Sequence, residues 1–150
     1  MLGLEPLLKA HVTLGPPQEL GETPQGRRRI IPITGGRFSG KRLNGRVLAG
    51  GADWQLIRAD GVADLDARYT LETDDGALIY VTNLGYRHAA APVMQKLMAG
   101  EDVDPSLYYM RTTPRYETGD ARYAWLNRIV CLASGARRAA AVELEVFEVL

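Results

Sequence analysis

A chain of 150 residues has the length of one domain and can bury a core of its own. Hydrophobic residues make up 46% and charged residues 24%, and Lys plus Arg equals Asp plus Glu at 18 each. This neutral balance argues against nucleic acid or an anionic membrane as the main partner, since both reward a basic excess. The single cysteine, Cys131, excludes an intrachain disulfide and a Cys-rich zinc site, and it fits a reducing compartment.

In chain order, the N-terminal MLGLEPLLKAHV carries Glu5 and Pro6 where a signal peptide has a basic segment and an unbroken apolar run. No stretch approaches the ~20 apolar residues of a membrane span, so a cytoplasmic location is expected. Leu7 to Leu14 predicts a first strand, closed by Gly15-Pro16-Pro17. Pro16 to Gly26 holds three of the eight prolines and little apolar content, which predicts a loop or flap. Arg28 to Phe38 predicts a strand whose Gly35-Gly36 pair marks a bulge or bend, as at a barrel corner. Leu43 to Leu48 and Trp54 to Arg58 follow, then the hairpin signal Asp60-Gly61. Asp64 to Thr73 alternates cleanly, with Leu65, Ala67, Tyr69 and Leu71 on one side and Asp64, Asp66, Arg68, Thr70 and Glu72 on the other. Asp75-Gly76 is a second hairpin signal before a strand over Ala77 to Leu84.

Ala90 to Ala99 is the one helical stretch, with Val93, Leu97 and Met98 at helical spacing and Gly100 at its end. Tyr108 to Glu117 returns to strand, with Pro114 implying an edge or bulge. Gly119 to Trp125 predicts a helical turn capped by Asp120, and strands over Asn127 to Ala133 and Ala139 to Val149 meet around Gly135. The sum is an all-β chain, residues 1–150 forming a single antiparallel β-barrel of about eight to ten strands with one short helix, because closure hides the edges of so many strands.

The motifs IPITGG, GGADWQ, TDDGALIY and YAWLN, with the later segments YYMRTTPRYETGDARYAWLN and AVELEVFEV, resemble a bacterial and fungal family of small proteins known as domain of unknown function three-two-three-seven. The resemblance runs from about Leu7 to Val149. It implies a calycin-like (lipocalin-like) antiparallel barrel, often oligomeric, and no agreed reaction.

In a barrel, alternate residues of each strand face the interior. Asp53 and Gln55 share a face, as do Asp66 and Arg68, and Tyr109, Arg111, Thr113 and Glu117 share one if Pro114 leaves the register intact. Trp125 and Asn127 project together if their stretch is extended. The pattern leaves open which face turns inward, since neither is uniformly apolar. One set of roles makes Asp53 or Glu117 a general base and Arg68 or Arg111 the holder of a carboxylate or enolate oxygen. Gln55 and Asn127 then orient by hydrogen bonds, and Tyr80, Tyr109 and Trp125 complete the ligand-binding wall. The bland alternative makes Asp53–Arg68 or Arg111–Glu117 ion pairs that close the barrel. His11 and His88 lack partners at metal-ligand spacing, Cys131 alternates with Ile129 as a core residue, and GRFSGK is a turn without the spacing of a phosphate loop.

Three functions compete. The first is a cofactor-free acid/base enzyme (isomerase, hydratase or lyase, or cyclase) acting on an oxygenated organic metabolite. The second is a carrier or sensor with the same pocket and no chemistry. The third is a filled structural barrel, which predicts no pocket of about 300 Å³ or more. Neither metal nor cofactor is expected. The final strand mixes Val142, Leu144 and Val146 with Glu143, Glu145 and Glu148, a pattern suited to pairing across a two-fold axis as a homodimer.

Overall fold

A computed structural model describes residues 1–150. Ten strands share one sheet: β1 (Leu4–Leu14), β2 (Gln18–Thr23), β3 (Gly26–Ser39), β4 (Asn44–Val47), β5 (Gly51–Ile57), β6 (Ala63–Thr73), β7 (Leu78–His88), β8 (Tyr109–Glu117), β9 (Val130–Arg137) and β10 (Ala141–Val149). Helix α1 spans Ala91–Met98, and 3₁₀ turns occupy Pro105–Leu107 and Ala121–Arg128. Neighbouring strands run antiparallel in the order β1-β10-β9-β8-β7-β6-β4-β3, with β5 filling the same stave as β4 further along, and β1 pairs with β3. That last pairing closes an eight-stave barrel. No helix is long and apolar enough to cross a membrane.

Both Asp-Gly signals are hairpin turns, with Gly61 at φ +85° and Gly76 at φ +91°, a region that only glycine occupies without strain. The Gly35-Gly36 pair sits at the closing seam. Register there slips from Thr13 opposite Gly35 to Leu14 opposite Ile33, so the expected bulge lies at the corner where β3 leaves β1 for β2. Gly36 has φ +134°, and a Cβ there would lie 2.0 Å from the His11 carbonyl oxygen.

Four boundaries depart from expectation. The predicted flap contains β2, whose residues are exposed on both sides and so carry no apolar alternation; backbone bonds to β3 and the Arg29 Nε–Glu19 Oε1 pair at 2.8 Å hold it. β7 does not stop at Leu84 but continues through Gly85 to His88. The 3₁₀ turn, capped by Asp120 accepting from the Arg122 amide at 2.9 Å, runs on to Arg128 and delays β9 to Val130. The β9–β10 turn follows Arg137 instead of falling at Gly135, which is an inward strand residue covered by Met110.

The barrel interior has two unlike halves. One is an apolar core that includes Tyr69, Leu71, Ile79, Val81, Tyr116, Cys131 and Val146, sealed by Tyr123 and Leu126 of the 3₁₀ turn. At the opposite end Met94 and Leu97 of α1 pack on Ala63, Leu65, Tyr108 and Met110. A belt of buried polar side chains separates them. Gly36→Ala is expected to destabilise the barrel by about 3 kcal/mol or more, from positive-φ strain and a backbone clash together. Urea denaturation checks this as a lowered midpoint with an unchanged slope.

Candidate functional site

Barrel register determines which polar groups meet. Asp53 stands opposite Ile31 and Ala67, and Ala67 stands opposite Asn83, so Asp53 and Asn83 share one inward row with only a methyl group between them. One row nearer α1, Arg29 pairs with Gln55, while Leu65, Gly85 and Thr112 pair in turn across β6, β7 and β8. The next row brings Ala63, Arg87 and Met110 together. Ala67 is small where Leu or Val would fill the lumen, and a cavity of about 50 Å³ results, bordered by Asp53, Asn83, Thr112, Tyr69 and Met110. It has room for roughly three water molecules.

Hydrogen bonding in this belt is uneven. Gln55, fully buried, donates from Nε2 to Asp53 Oδ2 at 3.1 Å and accepts from Arg29 Nη1 at 3.2 Å. The Asp66 amide donates to Asp53 Oδ1 at 2.9 Å. Each side-chain nitrogen of Arg29 donates: beyond Gln55 it reaches Glu19 and, through Nη2, the Met98 carbonyl at the C-terminus of α1 at 3.1 Å. A cation suits that position, where the last helical carbonyls lack partners. By contrast, Asn83 Oδ1, Thr112 Oγ1 and Arg87 Nε and Nη2 are buried with no partner in the protein. Each such group costs about 1–3 kcal/mol, so a cluster of them is not a packing solution.

Desolvation moves the charged members in opposite directions. Asp53 borders the cavity and is otherwise enclosed; burial holds its carboxyl above the ordinary range, against the opposing pull of the Asp66 amide, Gln55 and the Arg87 charge. Burial lowers Arg87 to about 10, so it remains a cation at neutral pH. Arg137 is lowered by burial too, with the Arg29 charge adding to the effect. A carboxyl held above its ordinary range beside a buried cation is an arrangement found at acid/base sites.

Of the residues expected at the site, Asp53 and Gln55 lie in the lumen. The others do not. Arg68 is on the outer face of β6, bonded to Asp66 at 3.1 Å and not to Asp53. Arg111, Tyr109 and Glu117 do share a register, but β8 turns Met110, Thr112, Pro114 and Tyr116 inward, so all three face outward. Arg111 donates to the Met110 carbonyl at 2.9 Å rather than to Glu117, and Tyr109 stacks on His88 with ring centres 4.8 Å apart. Tyr80 is on the outer face of β7. Trp125 and Asn127 belong to the 3₁₀ turn and not to a strand: the Arg42 guanidinium lies 3.4 Å above the Trp125 ring, and Asn127 clips Thr118 through its amide and carbonyl at 2.8 and 2.9 Å. The residues missed are Asn83, Arg87, Thr112 and Arg137. Parity would have found the first two, because continuing the inward set Ile79 and Val81 along β7 reaches Asn83, Gly85 and Arg87.

Larger hollows lie elsewhere. One of about 890 Å³ follows the outer wall past Lys9, His11, Arg37, Arg111, Glu143 and Glu145, open to solvent, where Lys9–Glu145 at 3.9 Å and His11–Glu143 at 3.7 Å pair some of its charges. Another of about 460 Å³ lies between the β1–β2 corner, the C-terminus of α1 and the β9–β10 turn. It shares one lining residue, Leu14, with the inner cavity, is bordered by Arg137, and is termed the vestibule.

Fold and interior together define a closed antiparallel barrel with a buried polar belt. The chain belongs to the family described as Protein of unknown function (DUF3237), whose model matches residues 2–149. It is 47% identical over 137 residues to a UPF0311 protein of Rhodopseudomonas palustris (strain TIE-1), covering 91% of this chain and 90% of that one. A crystal structure of a β-barrel-like protein from Acinetobacter baumannii AYE matches with a TM-score of 0.88 at 49% identity, covering 100% of this chain and 97% of that one. A more distant relative, 29% identical over 126 residues (84% of this chain, 69% of that one), is a Penicillium herquei protein named a hydroalkoxylation enzyme. The crystal structure of an enzyme from the same fungus matches with a TM-score of 0.74 at 25% identity, over 99% of this chain and 95% of that one.

The raised carboxyl of Asp53 gives a pH signature. Below the ordinary aspartate value of 3.8 both folded and unfolded states hold the proton, and Asp53 adds no pH dependence. Above it the unfolded chain ionises first, which favours unfolding. The stability of the native chain relative to Asp53→Asn is therefore expected to fall as pH rises through 3.8 and to level off above the folded-state value. Paired urea titrations across this range measure the difference. A rise instead would show the carboxylate to be the favoured form inside the barrel.

Proposed function

We propose that the lumen is the active site of a cofactor-free acid/base enzyme acting on a small oxygenated organic molecule, in the class of reactions that add a hydroxyl group across a carbon–carbon double bond. One observation carries it. The lumen cavity sets Asp53, a carboxyl that burial holds above its ordinary range, beside two hydrogen-bonding atoms with no partner in the protein, Asn83 Oδ1 and Thr112 Oγ1. An amide oxygen without a donor calls for a guest hydroxyl, and the acid supplies the proton such an addition needs. The name of the Penicillium herquei relative supports the same reaction class.

The proton balance closes without an external reagent. Asp53 gives its proton to one alkene carbon, whose π electrons form the new C–H bond. The hydroxyl oxygen, oriented by its hydrogen bond to Asn83 Oδ1, forms the C–O bond at the other carbon. Its proton passes to the Asp53 carboxylate and regenerates the acid. Gln55 and the Asp66 amide hold the carboxyl in place. Reaction in the enclosed lumen keeps bulk water from competing for the developing cation. A substrate exceeds the 50 Å³ available, so it extends into the vestibule behind Leu14.

Incubation with a panel of alkenols and alkenyl phenols in D₂O, followed by mass spectrometry, tests this. The expected product is a cyclic ether bearing one carbon-bound deuterium, formed about 10²–10⁴ times more slowly by Asp53→Asn. Undiminished turnover in that variant would sink the assignment, and compounds retained but returned unaltered would make the protein a carrier.

A further inference from the structure

Within the lumen the charge does not balance. Three arginines, Arg29, Arg87 and Arg137, are 2%, 2% and 5% exposed, and Asp53 is the one carboxyl among them. Arg29 has Glu19 at 2.8 Å. The Nη1 of Arg137 is wrapped by the backbone carbonyls of Arg138, Ala139 and Ala141. Arg87 has neither a carboxylate nor a carbonyl on Nε or Nη2. These two nitrogens are neighbours on one edge of the guanidinium plane, and their N–H bonds run parallel. That edge accepts both oxygens of a carboxylate at once.

Resting on the lumen being the active site, we infer that Arg87 is the anion-holding residue of that site and that its substrate carries a carboxylate, bound side-on to Nε and Nη2. The position fits. Arg87 lies two inward positions beyond Asn83 on β7, toward α1, with Gly85 between them adding no side chain. A carboxylate held there sits next to the cavity, one row of the barrel from Thr112 and two from Asn83. Arg137 borders the vestibule and adds a second positive charge along the way in. A buried guanidinium whose Nε and Nη2 no protein group accepts from is costly in the free protein. An arriving carboxylate removes that cost, which biases the site toward acids over their amides and esters.

The test compares acetate, propionate and benzoate with acetamide, propionamide and benzamide, using saturation-transfer NMR and thermal shifts on the full chain. Carboxylates are expected to bind saturably and raise the melting temperature, with the amides at least about tenfold weaker. Arg87→Met should weaken benzoate by about tenfold or more while raising the melting temperature of the free protein; Arg87→Lys, which keeps the charge and loses the fork, should fall between. Equal binding of acids and amides, or an unchanged benzoate affinity in Arg87→Met, overturns the inference. Asp53→Asn separates the two claims: it should keep benzoate binding, so loss of the acid/base role leaves the Arg87 assignment standing, and the reverse also holds.

Discussion

The pairing of β1 with β3 is the constraint on which the rest depends. Once the sheet is closed, each strand has one face turned to a narrow lumen, and alternation forces every second residue into it. Asp53, Asn83 and Arg87 cannot turn to water individually. A one-residue slip of β7 that freed Asn83 and Arg87 would also expose Ile79 and Val81, both fully buried. The apolar half of the barrel thus holds the polar half in a geometry that the polar residues would not keep by themselves. Closure depends in turn on Gly36, where the chains approach too closely for any side chain.

That mechanical hold explains how the electrostatics survive. The same loss of solvent raises the Asp53 carboxyl and lowers Arg87, so both groups are pushed toward their neutral forms while their mutual attraction pulls them back. The contrast between Arg29 and Arg87 is informative. Arg29 donates from each of its three side-chain nitrogens and so ties β2, β5 and α1 together. Arg87 ties nothing together. A stability-driven sequence would place an aliphatic side chain there, and departures of this kind concentrate at functional sites.

Most strands and both Asp-Gly hairpins were legible because β-branched runs, glycines and turn residues act locally. So was the clean alternation of β6, whose apolar set Leu65, Ala67, Tyr69 and Leu71 does face inward, although that implied Arg68 faces out. Asp53 and Gln55 were legible as a pair sharing a face. The rest of the site was not, for two physical reasons. A search for matched polar residues on one strand favours outer faces, as with Tyr109, Arg111 and Glu117, since solvent tolerates charge on successive outward positions and a lumen does not. The polar belt takes only one or two residues from each strand, and its members meet through cross-strand register that no local window contains. Gly85 also read as the end of a strand, and it concealed Arg87 beyond it.

The two closures of the barrel are built differently. The 3₁₀ turn is anchored by Tyr123 to Asp75 at 2.8 Å, by the Asn127–Thr118 clip and by Arg42 on Trp125, with Tyr123 and Leu126 deep in the core. Helix α1 has eight residues, no side-chain cap at its start, and a C-terminus held by the Arg29 bond to Met98. A helix this short gains little from its own hydrogen bonds and relies on the packing of Met94 and Leu97. The weaker closure therefore covers the polar half, and the vestibule opens beside it. An apolar core gains from a permanent seal, whereas a chamber that exchanges guests needs a cover of lower stability. The distribution of anchoring between the two ends matches that division of work.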